Sequence, residues 1–313
     1  MLALLFAGPL AVPAAAEDAH LIVITGVAGD NELATEYHKW ATSVIDAAKK
    51  KGVIDANIVY LAENPDKEPG RIQGRSTREN VTKAFTDVAA RARPNDEVFV
   101  LLIGHGSFDG RQAAFNLPGP DLGADDFAKL LQKLATQRVV FVNTAGSSGA
   151  FLAPLAAPGR TIVTATKTGG ERNDTRFPEF FVEALATEAA DRDRNGRVSV
   201  LEAFDYAKLK VQQVYEKEGH ILTEHATLDD GSQEKLAATQ FLAGDRSRTI
   251  AASTADPELR ALLQQQDTLE RQVAELRLKK EAMDPSQYEQ QLEKLLTDLA
   301  RKTKEIRDRE GKK

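Results

Sequence analysis

Five short apolar runs punctuate the first half of the chain: Leu21–Ile24, Ile58–Leu61, Val98–Ile103, Val139–Val142 and Thr161–Thr164. Each is continuous rather than alternating and rich in β-branched residues, the pattern of strands buried on both faces. Amphipathic stretches of helical period separate them, for example Glu36 to Lys51 and Arg78 to Ala92, with Trp40 expected in the core. Strand and helix in repeated alternation predict an α/β fold over residues 20–165, a doubly wound, mostly parallel sheet with right-handed crossovers. Two further helices around an acidic loop are expected at 176–218. Residues 219–254 show weak periodicity and read as a return segment and linker.

From Asp256 the pattern changes. Apolar residues step by three and four through Leu262, Leu269, Val273, Leu276 and Met283, and again through Tyr288, Leu292, Leu295, Leu299 and Ile306. This is heptad spacing in two blocks, and Pro285 between them fits a helix start but not a helix interior. A C-terminal helical hairpin, or coiled coil, over 255–313 is predicted, turning at Asp284-Pro285. Gln266 and Lys280 interrupt its first seam. Such a hairpin serves either packing or assembly: oligomerisation or capture of a partner helix.

Composition narrows the classes. The net charge is -6, and residues 256–313 hold 13 basic and 13 acidic groups, so the negative balance belongs to the body. No basic field exists to hold nucleic acid. There is no cysteine, which removes disulfides, thiolate metal sites and a thiol nucleophile. Residues 1–16 are uncharged, apolar and end in Ala14-Ala15-Ala16, as a secretory signal peptide does. They are too short to span a bilayer, and no later segment has membrane-spanning length. The expectation is an exported protein, periplasmic or secreted, cleaved near Ala16, with one α/β domain over 17–254.

The acidic loop carries the most specific motif. Asp191, Asp193, Asn195, Gly196 and Glu202 fill the pattern D-x-[DN]-x-[DN]-G-x5-E, an EF-hand-like calcium loop. A hard cation takes six to eight oxygens, and the twelve-residue loop wraps around it. Asp191, Asp193 and Asn195 offer side-chain oxygens, Arg197 its carbonyl, Ser199 a water-mediated position, and Glu202 a bidentate carboxylate. Val198 is expected in the core. Calcium (Ca2+) is the expected cofactor. Arg192, Arg194 and Arg197 weaken the site by their charge. Thr223-Glu224-His225 and Asp229-Asp230 lack the clustered histidines of a zinc site.

The third strand runs into His105-Gly106-Ser107, and the fourth into Asn143-Thr144-Ala145-Gly146-Ser147-Ser148. Sites in open parallel sheets form at the carboxyl ends of strands. The His105 and Ala145 loops therefore face each other if their strands are neighbours. Gly169–Asp174, after the fifth strand, could line the same cleft or form a plain surface loop.

These blocks carry a resemblance. Gly26 follows the first strand, Arg93-Pro94-Asn95-Asp96-Glu97-Val98-Phe99-Val100 leads to His105-Gly106-Ser107, and Thr164-Ala165-Thr166 ends the fifth strand. In this order they resemble legumain-type (asparaginyl endopeptidase) cysteine peptidases, related to caspases, over roughly residues 20–210. The resemblance implies a caspase/legumain-like sheet and a His–Cys dyad, with His105 as the histidine and Gly106 as the oxyanion-hole donor. Ala145 falls on the cysteine position, the remnant of the nucleophile site, and no arginine lies in the loop from Gly26 to Tyr37, where the family recognises asparagine. An alanine cannot attack a carbonyl. Three readings follow: a pseudo-peptidase, or pseudoenzyme, that binds a peptide or protein ligand without cutting it; a hydrolase using Ser147, Ser148 or Thr144 with His105 as base; or a calcium-stabilised scaffold that assembles through its tail.

Overall fold

The structure, a computed structural model, describes residues 18–187, 189–231, 236–244, 250, 254–278 and 280–310. The expected signal peptide, 1–16, lies outside the described residues. In chain order the elements are β1 (Ala19–Thr25), α1 (Asn31–Lys50), β2 (Ile58–Ala62), β3 (Gly74–Arg75), α2 (Arg78–Arg91) and β4 (Glu97–Ile103). A small excursion follows: β5 (Gly106–Phe108), β6 (Ala113–Phe115), β7 (Leu122–Gly123) and α3 (Ala124–Leu131). The chain continues through β8 (Arg138–Asn143), α4 (Leu152–Leu155), β9 (Arg160–Thr164), α5 (Phe177–Ala186), α6 (Val200–Glu218) and β10 (Thr227–Asp229), then α7 (Pro257–Leu278) and α8 (Pro285–Glu310). No helix among the described residues is long and apolar enough to cross a membrane.

All five apolar runs are strands of one sheet, ordered β10-β9-β8-β4-β1-β2-β3. Every pairing is parallel except β10 against β9. The three antiparallel strands β5, β6 and β7 form a separate small sheet. The sheet is mixed only at its last edge, so the mostly parallel reading holds. One face is covered by α1, α5 and α6, the other by α2 and α3, and each has its own apolar core. On the second face Phe127 touches the rings of Phe85, Phe141 and Phe151. Truncating it to Ala should cost about 3–5 kcal/mol. Trp40 is only partly buried, packed against the first core.

Strand order places the site. From β1 the chain moves outward to β2 and β3, then returns to β4 on the other side of β1. That reversal opens a crevice beyond the carboxyl ends of β1 and β4. Thr25 pairs with Ile103, Leu102 with Asn143, and Asn143 with Thr164. Four strand ends are therefore nearly flush, and the segments after them converge.

Helix boundaries follow local capping. α1 begins at Asn31 rather than Glu36 because the Asp30 carboxylate accepts from Leu33 N–H at 2.8 Å. α5 begins at Phe177 and ends at Ala186, the first of the two helices expected within 176–218. Pro178 suits its first turn. The buried Glu224 accepts from Arg176 N–H at 2.7 Å and Phe177 N–H at 3.1 Å, capping the same helix. Burial pushes the Glu224 carboxyl above its ordinary range, against the pull of those two N–H groups.

Residues 219–254 do more than return the chain. They add β10 to the sheet edge, and the Gln240 side chain accepts from Thr161 Oγ1 at 2.5 Å. The C-terminal hairpin forms as expected. Asp284 accepts from Ser286 and Gln287 N–H at the turn, and Pro285 opens α8. Leu259, Val273, Leu276, Tyr288 and Ile306 are buried in its seam. The polar seam residue Gln266 donates across to Thr303 Oγ1 at 3.3 Å, and Lys280 places its ammonium over the Tyr288 ring.

Candidate functional site

His105 stands one residue beyond Gly104 at the end of β4, half-buried. Its Nδ1 donates to Asp174 Oδ1 at 2.8 Å. Its Nε2 lies 3.1 Å from the Ala28 carbonyl oxygen and 3.3 Å from Tyr37 Oη. Burial raises the Tyr37 pKa strongly, helped by the carboxylates of Asp174, Asp30 and Glu36, so Tyr37 stays a neutral phenol. Both ring nitrogens are engaged within the chain. The imidazole joins three elements: the β1–α1 loop, α1 itself, and the strap between β9 and α5.

The 145 loop meets the loop after β4 at Gly106. A Cβ built on Gly106 would lie 2.2 Å from the Gly146 carbonyl oxygen and 3.3 Å from Ala145 Cβ. Only glycine fits at position 106 beside the Ala145-Gly146 backbone. Ala145 is buried, and its N–H is held by Asn143 Oδ1 at 3.1 Å.

The three hydroxyl candidates differ. Thr144 Oγ1 donates to Leu102 carbonyl at 2.8 Å, a structural bond. Ser148 Oγ shares a 3.2 Å bond with Thr166 Oγ1 and accepts from Thr166 N–H. Ser147 has φ 58°, a strained left-handed conformation for serine, and its fully buried Oγ has no hydrogen-bond partner. The strap covers it: Ser147 N–H donates to the Glu171 carbonyl at 2.6 Å.

The expectation for Gly169–Asp174 left open a cleft lining or a plain surface loop; the strap, 167–175, makes contacts that spacing did not disclose. Glu171 accepts from Lys167 N–H at 2.9 Å and from His225 N–H at 3.0 Å, and His225 Nδ1 lies 2.9 Å from its Oε1. Thr175 Oγ1 donates to the Thr144 carbonyl. His225 and Glu224 thus serve the strap and a helix cap. The pairing of His105 with Asp174 and Tyr37 joins residues far apart in the chain and left no signal in spacing.

The acidic loop converges as its motif requires. Ligand oxygens of Asp191, Asp193 and Glu202 lie within 4.8 Å of one another. Asp191 accepts from Asn195 N–H at 3.1 Å and Gly196 N–H at 2.9 Å, and Asn195 Oδ1 from Arg197 N–H at 2.9 Å. Gly196 has φ 78°, which permits the turn at position six. Glu202 reaches back to Ser199, whose Oγ donates to it at 2.8 Å and also caps α6. Val198 is buried as expected. A segment distant in the chain braces the loop: Ser199 bridges Phe241, and Val200 N–H donates to Gln240 carbonyl at 3.0 Å.

Arg192 and Arg197 are engaged outside the carboxylate cluster. Arg197 stacks its guanidinium 3.7 Å from the Phe241 ring centroid, and Arg192 pairs with Asp205 at 3.7 Å. An unforeseen cation arrives from the tail: Arg277 of α7 lies 3.2 Å from Asp193 Oδ2.

The sheet brings four strand ends together beside His105 in a chain that holds no thiol. Among curated proteins, none matches the chain. The model of the peptidase C13 family matches residues 27–226, from the loop after β1 to the threshold of β10. With more than half of its length so matched, the chain belongs to the peptidase C13 family.

Proposed function

We propose that this chain is a catalytically silent C13 peptidase: an exported, calcium-stabilised binding protein that holds a peptide or protein ligand on the peptidase scaffold without cutting it. One observation carries the reading. Ala145 occupies the position facing Gly106 where the family reaction needs a thiol, in a chain with no cysteine. The engagement of both His105 nitrogens by Asp174, Ala28 and Tyr37 supports it, because a general base needs a free nitrogen toward its nucleophile.

Calcium is the fitting cation for the acidic loop. The donor set is all oxygen, the glycine turn is in place, and a 12-residue loop of this kind suits six to eight ligands better than an octahedral magnesium site. With a single loop braced by Gln240 and Phe241, the ion holds structure rather than switching it. The hairpin of α7 and α8 is the element for oligomerisation or for a partner helix.

The test is hydrolysis of a broad peptide and ester library by the chain with calcium, beside His105→Ala. Silence in both supports the reading. Turnover that vanishes in the variant overturns it and favours the second reading, a hydroxyl hydrolase. For that reading the strained, unpartnered Ser147 is the specific observation, since Thr144 and Ser148 are committed to structural bonds.

A further inference from the structure

Away from the His105 site, on the face carried by α6, a groove of about 500 Å³ opens between α6 and the segment 222–228 that leads into and forms β10. Its apolar surface comes from Phe177, Phe204, Val211, Leu222 and Leu228. Leu222 and Leu228 are only partly buried, so the chain itself does not fill the space between them and the helix. Next to Leu222 in the chain, Ile221 is 87% exposed and extends the apolar surface at this end.

The charge around this groove has one accessible sign. Lys167 and Lys208 are exposed, and neither ammonium meets a carboxylate among the described residues; Lys208 rests only over the Phe204 ring. The groove's acid, Glu224, is buried and spent on capping α5 and on Tyr215 Oη. Its imidazole, His225, is already paired with Glu171. Two free cations thus flank an apolar trough on a body whose net charge is negative. β10 is also the terminal strand of the main sheet, so the trough runs along a sheet edge.

We propose that this groove is a docking site for an acidic peptide segment of a partner protein, anchored by apolar side chains between α6 and β10 and flanked by Asp or Glu against Lys167 and Lys208. Charge complementarity selects the occupant: a basic segment is repelled, and a purely apolar one leaves both ammonium groups without a counter-charge. The site is distinct from the His105 crevice and does not depend on the silent-peptidase reading.

The test is selection of a displayed library of short random peptides on the full chain with calcium, followed by fluorescence anisotropy of the enriched peptides made synthetically. Enriched peptides should pair acidic with large apolar residues. The double reversal Lys167→Glu with Lys208→Glu should weaken them by on the order of tenfold, since both changes lie at the exposed rim and leave the core intact. Leu222→Asp, on the trough surface, should weaken them as well. Enriched peptides without acidic residues, or binding indifferent to the charge reversal, would overturn the proposal. Self-association abolished by the same reversal, with no peptide selected, would assign the face to a second copy and overturn it too.

Discussion

His105 Nδ1 donates to Asp174 Oδ1 across 2.8 Å, tying the end of β4 to the strap between β9 and α5. The Asp174 side chain is 71% exposed, so solvent screens the pair and it is worth about 0–1 kcal/mol. Its effect is local. Asp174→Ala should leave the melting temperature nearly unchanged while amide exchange across 167–175 accelerates. Exchange that stays as slow as in the parent would show that Glu171 and Thr175 hold the strap by themselves.

The same bond bears on any attempt to introduce a thiol at the site. Ala145→Cys places one beside Gly106, with Asp174 holding the Nδ1 of His105. A cysteine reacts as its thiolate, and an adjacent imidazole promotes that form. The Asp174 carboxylate favours the charged imidazolium that pairs with a thiolate, so Ala145→Cys combined with Asp174→Ala should be alkylated by iodoacetamide at neutral pH about tenfold more slowly than Ala145→Cys alone. Equal rates would mean that Asp174 does not govern the imidazole.

Calcium should raise the melting temperature of the parent chain, and Glu202→Gln should abolish most of that rise, because one carboxylate oxygen closing the loop is lost. Arg277→Ala offers a second readout. Arg277 pairs with Asp193 at 3.2 Å, and its positive charge competes with the ion for that carboxylate. Its removal should tighten calcium about two- to tenfold by titration calorimetry. Weaker binding in this variant would instead make the tail a supporter of the loop.

A buried imidazole far from the site predicts the acid response. His20 lies at the opposite end of the sheet, with Nε2 3.3 Å from Asp96 and Nδ1 without a partner. Burial pulls its pKa below the ordinary 6.5, outweighing the Asp96 carboxylate that raises it. The unfolded chain then binds the proton more readily than the folded one. The stability that His20 contributes is present above pH 6.5 and lost as pH falls through the lower folded value. Urea midpoints should drop between pH 7 and 5, and His20→Gln should flatten that drop; a slope equal to the parent's would place the acid sensitivity elsewhere.

What the chain order of residues disclosed depended on how local each signal was. Continuous runs such as Val98–Ile103 announced the buried parallel strands, and the spacing around Pro285 announced the hairpin. The two- and three-residue strands β3, β5, β6, β7 and β10 are too short to show a period, and they form because tertiary neighbours complete their hydrogen bonds. The clustering of Asp191, Asp193 and Glu202 in the acidic loop was readable because the residues of the motif are contiguous. Its brace was not, since Gln240 and Phe241 come from a polar segment without periodicity. Likewise His105 and Ala145 stood out at strand ends, while Asp174 and Tyr37 joined them only through folding.

The absence of a competent nucleophile is the centre of this account, and its most direct test is intact-mass measurement after exposure to a reactive fluorophosphonate. Such a probe labels an activated serine and ignores inert ones. With calcium present, the parent chain should gain no adduct. A single adduct mapped to Ser147, and lost in His105→Ala, would contradict the account and identify a working hydrolase.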